Sequence, residues 1–252
     1  MPTGATRMPL KRLPTGLLLV RGEAEAVAGW ALGGLTTVRV VPLTGGWTGI
    51  VPVTATSVAP PPYDDPIGVL LARPVPHRMR PCLGVAVVDG QALVASTSAR
   101  WRAIQRWVVW RPSTGLVRPG GLPSARLADL VHLVGAGPEA VGALADVLHD
   151  PAGDALSVLR DVLDVLGLPG ADLLDDLELR SPPSSPTSSG TSSGTSSGTS
   201  SGTSSGPSSG TSGATSSRPG THHVEPSASR AAAFIRMVSE DESWREETGG
   251  PP

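Results

Sequence analysis

The stretch LGVAVVDGQALVA, residues 83–95, decides how this chain is to be read. Two apolar runs, residues 83–88 and 91–95, flank Asp89-Gly90. An Asp-Gly pair accepts the positive φ angles of a type I′ turn, whose twist matches that of the strands it joins. The stretch is therefore a β-hairpin, the strongest such signal in the chain.

Working outward toward the amino terminus, residues 16–21 (GLLLVR) form a short apolar run bounded by glycines, which reads as a buried strand. Ala24, Val27, Ala28 and Ala31 recur at helical spacing and stop at Gly33-Gly34. Residues 37–43 and 47–53 are β-branched runs joined across Gly45-Gly46, a second hairpin. Residues 54–66 form a proline-rich loop carrying Tyr63, Asp64 and Asp65. Residues 67–72 read as a further strand, and residues 74–81 as a loop holding His77, Arg78 and Arg80. Beyond the first hairpin, Ser98 is placed to cap a short helix reaching about Gln105, with a closing strand at residues 107–110. Strand–helix–hairpin is followed by strand–hairpin–helix–strand, an α+β order with an internal pseudo-symmetry that no sequence repeat accompanies.

After Pro119-Gly120-Gly121 the apolar period changes to 3.6. Leu127, Leu130, Val131 and Val134 share one face, after a cap at Ser124; Val141, Leu144, Ala145 and Leu148 share the next, entered by Pro138. Leu156, Leu159, Val162, Leu163 and Leu166 make a third. Aspartates 146, 150, 154, 161 and 164 occupy the remaining surface or the helix ends. Such a unit must bury its stripes on itself, on the sheet or on a partner.

Residues 187–206 are five perfect copies of Thr-Ser-Ser-Gly, followed by Pro-Ser-Ser-Gly. A run with so little to bury cannot offset the entropy of ordering itself, and Gly/Ser composition makes it a flexible coil. Apolar residues return after it. Ala231, Phe234, Ile235 and Val238 fall on one helical face, with Met237 and Trp244 nearby and Glu240, Asp241, Glu242, Glu246 and Glu247 toward the end. A helix of this length is marginal alone in water, so the tip should order only against something. A coil over residues 181–226 spans roughly 35–40 Å, which holds the tip at roughly millimolar effective concentration near a local site. The expected organisation is α+β throughout the folded part. It comprises a flexible N-terminus (1–15), a basic mixed strand/helix domain with hairpins (16–121) and a small acidic helical unit (122–180). A disordered Gly/Ser/Thr linker (181–226) and a short amphipathic C-terminal helix (227–247) complete it.

The net charge of −2 conceals an asymmetry. Residues 1–121 carry 13 basic and 5 acidic groups, whereas residues 122–180 carry 3 and 11. Opposed halves attract each other, and a basic first half is also suited to an anion or nucleic acid. The chain has 19 Arg but only Lys11, no Asn, and one Phe, a bias that fits a high-GC bacterial genome. A lone cysteine, Cys82, excludes an internal disulfide and a Cys-based zinc cluster. The apolar run at residues 17–20 is too short for a secretion signal or a membrane span, which points to a cytoplasmic location and no membrane partner.

Enzyme motifs are weak. Gly190-Thr191-Ser192-Ser193-Gly194 matches a hydrolase elbow only in letters, because that motif needs a strained strand-to-helix turn. Gly135-Ala136-Gly137-Pro138-Glu139-Ala140 resembles the dinucleotide fingerprint of nucleotide-dependent enzymes, but helical spacing precedes it and no strand follows the next helix. A glycine-containing turn between helices is the better reading. No catalytic residue, metal site or cofactor is assigned. Arg100, Arg102 and Arg106 interleave with Trp101 and Trp107, a pairing used in base stacking and cation–π contacts and equally found where indoles are core and arginines solvated.

A basic folded domain, a Gly/Ser coil and a partly acidic end is a layout similar in outline to bacterial single-stranded-DNA-binding proteins, whose acidic tips recruit partners. This tip lacks their Asp-rich ending with a terminal Phe. The leading expectation is a non-enzymatic cytoplasmic adaptor or regulator of the kind that serves bacterial division or chromosome partition. Its protein partner would be engaged through Phe234, Ile235, Met237, Val238 and Trp244. The alternatives are nucleic-acid binding through Arg100, Arg102, Arg106 and Trp107 in the basic half, and a nucleotide-dependent enzyme at residues 135–140.

Overall fold

The computed structural model describes residues 15–100, 103–180 and 220–247, with side chains described up to 177 in the second segment and 237 in the third. Eight strands form one sheet: β1 (Thr15–Arg21), β2 (Val38–Pro42), β3 (Trp47–Pro52), β4 (Cys82–Val88), β5 (Gln91–Thr97), β6 (Arg106–Arg111), β7 (Gly115–Val117) and β8 (His222–Val224). Their spatial order is β7-β6-β5-β4-β1-β3-β2-β8, and every neighbouring pair is antiparallel. The fold is α+β.

The hairpin expected over residues 83–95 is β4–β5, with Val88 opposite Gln91. Asp89 at φ 50° and Gly90 at φ 73° supply the paired positive angles of its turn. The second expected hairpin is β2–β3, closed by Gly45 and Gly46. β1 lies at the centre of the sheet between β4 and β3, with Leu17–Val20 buried. Alternate residues of a strand face opposite sides, so a run apolar at every position requires cover on both faces.

Helices supply that cover. On one face lie α3 (Leu127–Val134), α4 (Ala140–His149), α5 (Ala155–Val165) and α6 (Ala171–Arg180), whose Leu144, Leu159, Leu163 and Leu174 share a core with Leu17, Leu19, Leu83 and Trp110. Trp110 is fully buried there, and its indole Nε1 donates to the Asp150 carbonyl at 2.9 Å. The acidic helices thus bury their stripes on the sheet and on one another. Arg39 of β2 meets Asp176 of α6 at 3.4 Å, an attraction between the basic and acidic halves. The opposite face carries α1 (Ala24–Ala31) and α2 (Pro66–Ala72), whose Val27, Ala31, Ile67 and Leu71 pack with Leu18, Val20, Val40 and Ile50.

Three local expectations are corrected. Residues 67–72 are not a strand: they belong to α2. Asp65 accepts from the backbone N–H groups of Ile67 and Gly68, and Pro66 takes a first-turn position. That capped start outweighs the strand-like apolar run. Residues 98–100 and 103–105 contain no helix, and Gln105 instead donates to the Leu71 carbonyl at 2.8 Å. Nor does Ser124 cap α3, whose N-cap is Arg126; Ser124 bridges to Trp107.

Beyond the tract, β8 adds to the edge of β2, pairing Val38 with Val224 and Val40 with His222. The expected linker includes these residues, so the coil reading is corrected for them; residues 181–219 lie outside the described residues. From β8 the chain enters α7 (Ala228–Glu247). Among the described residues, no helix is long and apolar enough to cross a membrane.

Candidate functional site

The carboxyl ends of α1 and α2 converge, and α7 arrives at the same place. Arg73 follows the last residue of α2 and reaches back to α1. Its Nη2 donates to the Trp30 carbonyl at 2.6 Å and its Nη1 to that of Ala31 at 3.4 Å, with the guanidinium 4.1 Å from the Trp30 ring centroid. These two carbonyls also accept from the N–H groups of Gly33 and Gly34, and the negative end of the helix dipole favours a cation beside them. Burial, and next the charge of Arg230, lower the Arg73 pKa to about 10, so it stays protonated at neutral pH.

The arm is anchored here by a few contacts. The Ser227 N–H donates to the Leu32 carbonyl at 3.1 Å. Three residues of β8 pair with β2, and the Phe234 ring stands edge-on to Tyr63. Between arm and body lies a cavity of about 540 Å³. Its body side is formed by Gly33, Gly34, Leu35, Tyr63, Val69, Ala72 and Arg73, and its arm side by Arg230, Ala233 and Phe234. Gly33 makes the approach of the charges close. The position a Cβ would take there is 3.0 Å from a terminal nitrogen of Arg73 and 3.0 Å from one of Arg230. Among the described residues, neither guanidinium has a carboxylate within ion-pair distance.

The residues singled out in the tip are distributed unequally. Phe234 is half-buried against the body, whereas Ile235 is 40 % and Met237 58 % exposed. Val238 and Trp244 belong to α7, and their side chains lie outside the described residues. The side of α7 that lines the cavity carries Arg230, Ala233 and Phe234. Of these, only Phe234 stands out in the sequence as a large apolar residue at helical spacing. Tyr63 and Arg73 are missed because they sit in a loop and at a helix end, with no periodicity to mark them.

The arginine–tryptophan stretch is taken apart by the strand. Arg106 and Trp107 are adjacent in β6 and so point to opposite faces. Trp107 packs half-buried with the α1–α2 core, while exposed Arg106 donates to the Ser124 carbonyl at 3.2 Å on the other side. Arg106 and Arg100 do share a second cavity of about 530 Å³, which Asp129 and His132 of α3 also line. Arg102 lies outside the described residues.

Residues 135–140 join α3 to α4. Gly135, at φ 77°, is the left-handed C-cap of α3, with its N–H directed to α3 carbonyls. The strand–turn–helix setting of a dinucleotide site is therefore not formed there. Cys82 is 4 % exposed, and burial pushes its thiol pKa up. No family model, curated protein or solved structure matches the chain.

Proposed function

We propose that this protein is a non-enzymatic adaptor, working in the cytoplasm, whose tethered C-terminal arm exchanges between its own body and a protein partner. The observation that carries the proposal is the small size of the arm's seat. A three-residue strand with Val224 buried in the α1–α2 core, one ring pair and the Ser227 hydrogen bond hold it, while Ile235 and Met237 are exposed to 40 % and 58 %. Elements held by few apolar contacts open at low free-energy cost. The long tract returns a released arm at high local concentration, so docking in cis competes with a partner without preventing it. An amphipathic helix entering a groove is a common mode of partner recognition.

The test is capture of partners with the full chain, a chain ending at Arg180, and a Phe234→Asp/Ile235→Asp double variant. Loss of the same partner from both altered proteins assigns recruitment to the arm. An unchanged set of partners refutes it.

A second reading, anion or nucleic-acid binding at Arg100 and Arg106, is favoured by their shared cavity. It predicts single-strand binding that falls steeply with salt and is lost in Arg100→Ala/Arg106→Ala.

A further inference from the structure

The cavity between body and arm has a chemical character of its own. Leu35, Val69, Ala72, Ala233 and the rings of Tyr63 and Phe234 give it apolar walls, and two guanidinium groups meet at Gly33 on its rim. At about 540 Å³ it falls in the size range of small-molecule sites. The carbonyls of α1 that Arg73 reaches also accept from the N–H groups of Gly33 and Gly34, so they call for no second cation. Arg230 adds a second positive charge, and the two repel. An arginine fork matches an oxyanion with paired hydrogen bonds, and charge-assisted bonds of this type are the strong ones.

We propose that this cavity binds an anionic amphiphile, a carboxylate or phosphate head on a compact apolar body, with the head held between Arg73 and Arg230. The proposal rests on the docked arm described above and adds its regulation. One guanidinium belongs to the body and the other to the arm, so a bound anion bridges them and cancels their repulsion. Burial first, and the charge of Arg230 next, lower the Arg73 pKa, the direction that such repulsion gives. A ligand that binds only the docked form shifts the equilibrium toward docking and withdraws the arm from its partner.

The experiment uses the full chain and four probes: decanoate, decyl phosphate, decanol and inorganic phosphate, the amphiphiles below their micellar concentrations. Binding is followed by titration calorimetry and by the fluorescence of Trp30, which stacks on Arg73. Hydrogen exchange of α7 is read with and without probe.

Saturable binding of decanoate or decyl phosphate, one per chain, at least roughly tenfold tighter than decanol or inorganic phosphate, is the expected result. The tighter of the two identifies the head group. Arg230→Gln changes a solvent-accessible side chain of the arm, leaves the body intact, and should weaken binding roughly tenfold. Ala233→Trp, which fills the cavity without changing charge, should abolish binding. The anionic probe should slow exchange in α7.

Decanol binding as tightly as decanoate, or Arg230→Gln binding like the parent, overturns the proposal. So does the absence of saturable binding by either anionic amphiphile. If α7 is protected without probe and unchanged by it, the ligand proposal fails while the docked arm stands. If α7 exchanges freely without probe and becomes protected with it, the ligand proposal stands and the resting state of the arm is revised.

Discussion

The rings of Tyr63 and Phe234 meet edge to face, with centroids 5.4 Å apart and planes at 90°, from opposite sides of the Ser/Thr/Gly tract. Such a pair contributes about 0.5–1.5 kcal/mol beyond the area it buries. A double-mutant cycle with Tyr63→Ala and Phe234→Ala, read by hydrogen exchange in α7, should return a coupling of that size. The global unfolding midpoint should stay near that of the parent, because the pair lies outside both apolar cores. A coupling near zero would mean that the rings do not meet in solution.

α2 sits close to the sheet because two strands offer it glycines. Ile67 and Leu71, one helical turn apart, rest on Gly16 of β1 and Gly84 of β4 respectively. A Cβ on Gly16 would come within 2.5 Å of Ile67 Cγ1 and 2.9 Å of the Val85 carbonyl oxygen, and the second of these is backbone that cannot rotate away. Gly16→Ala should therefore destabilise the fold by about 1–3 kcal/mol, the usual cost of overpacking. Urea unfolding measures it. Gly142→Ala, on α4 with open space around its Cβ position, should be neutral or slightly stabilising in the same assay.

Asp154 caps α5, accepting from the backbone N–H groups of Leu156 and Ser157 at 3.0 Å and from the Ser157 hydroxyl at 2.7 Å. The Ser157 hydroxyl first, then its backbone N–H and that of Leu156, with the Arg160 charge adding less, hold the carboxylate below its ordinary pKa. A carboxylate with a depressed folded pKa lends stability above its unfolded pKa, and that stability is lost as pH falls through the folded value. Asp154→Ala should cost about 1 kcal/mol at neutral pH. Asp154→Asn should keep most of the cap and lose the acid-dependent part, which is checked by urea midpoints across the acid range.

Cys82 opens β4 opposite Thr97 and is 4 % exposed. Burial raises its thiol pKa, so both access and thiolate content are low in the folded chain. A disulfide reagent at mildly alkaline pH should label native protein far more slowly than denatured protein. Labelling at equal rates would show that the strand opens readily.

How much was legible depends on how local each cause is. The turn at Asp89-Gly90, the glycine stop after α1 and the three apolar stripes from Leu127 to Leu166 are set by neighbours in sequence, and the structure forms each of them. The apolar run of α2 is short enough for either strand or helix, and the cap at Asp65 before Pro66 decides for the helix. β8 gives no signal at all: three residues become a strand only because the edge of β2 accepts their hydrogen bonds. At the candidate site Phe234 is visible in the sequence, whereas Tyr63, Arg73 and Gly33 are gathered from a loop, a helix end and the turn from α1 to β2.

By itself the sequence determined the two hairpins, α1, the division into basic, acidic and low-complexity parts, and the apolar stripes, since these depend on periodicity, turn chemistry and composition. Only the tertiary structure decided that the acidic helices and α1–α2 cover opposite faces of one sheet, that the arm returns to the edge of β2, and that Arg73 and Arg230 meet at Gly33. The physical reason is that apolar burial is non-directional: it requires each stripe to be covered but does not name its cover. Which surfaces meet is decided by strand register, by glycines that admit close approach, and by charges that must find partners in space.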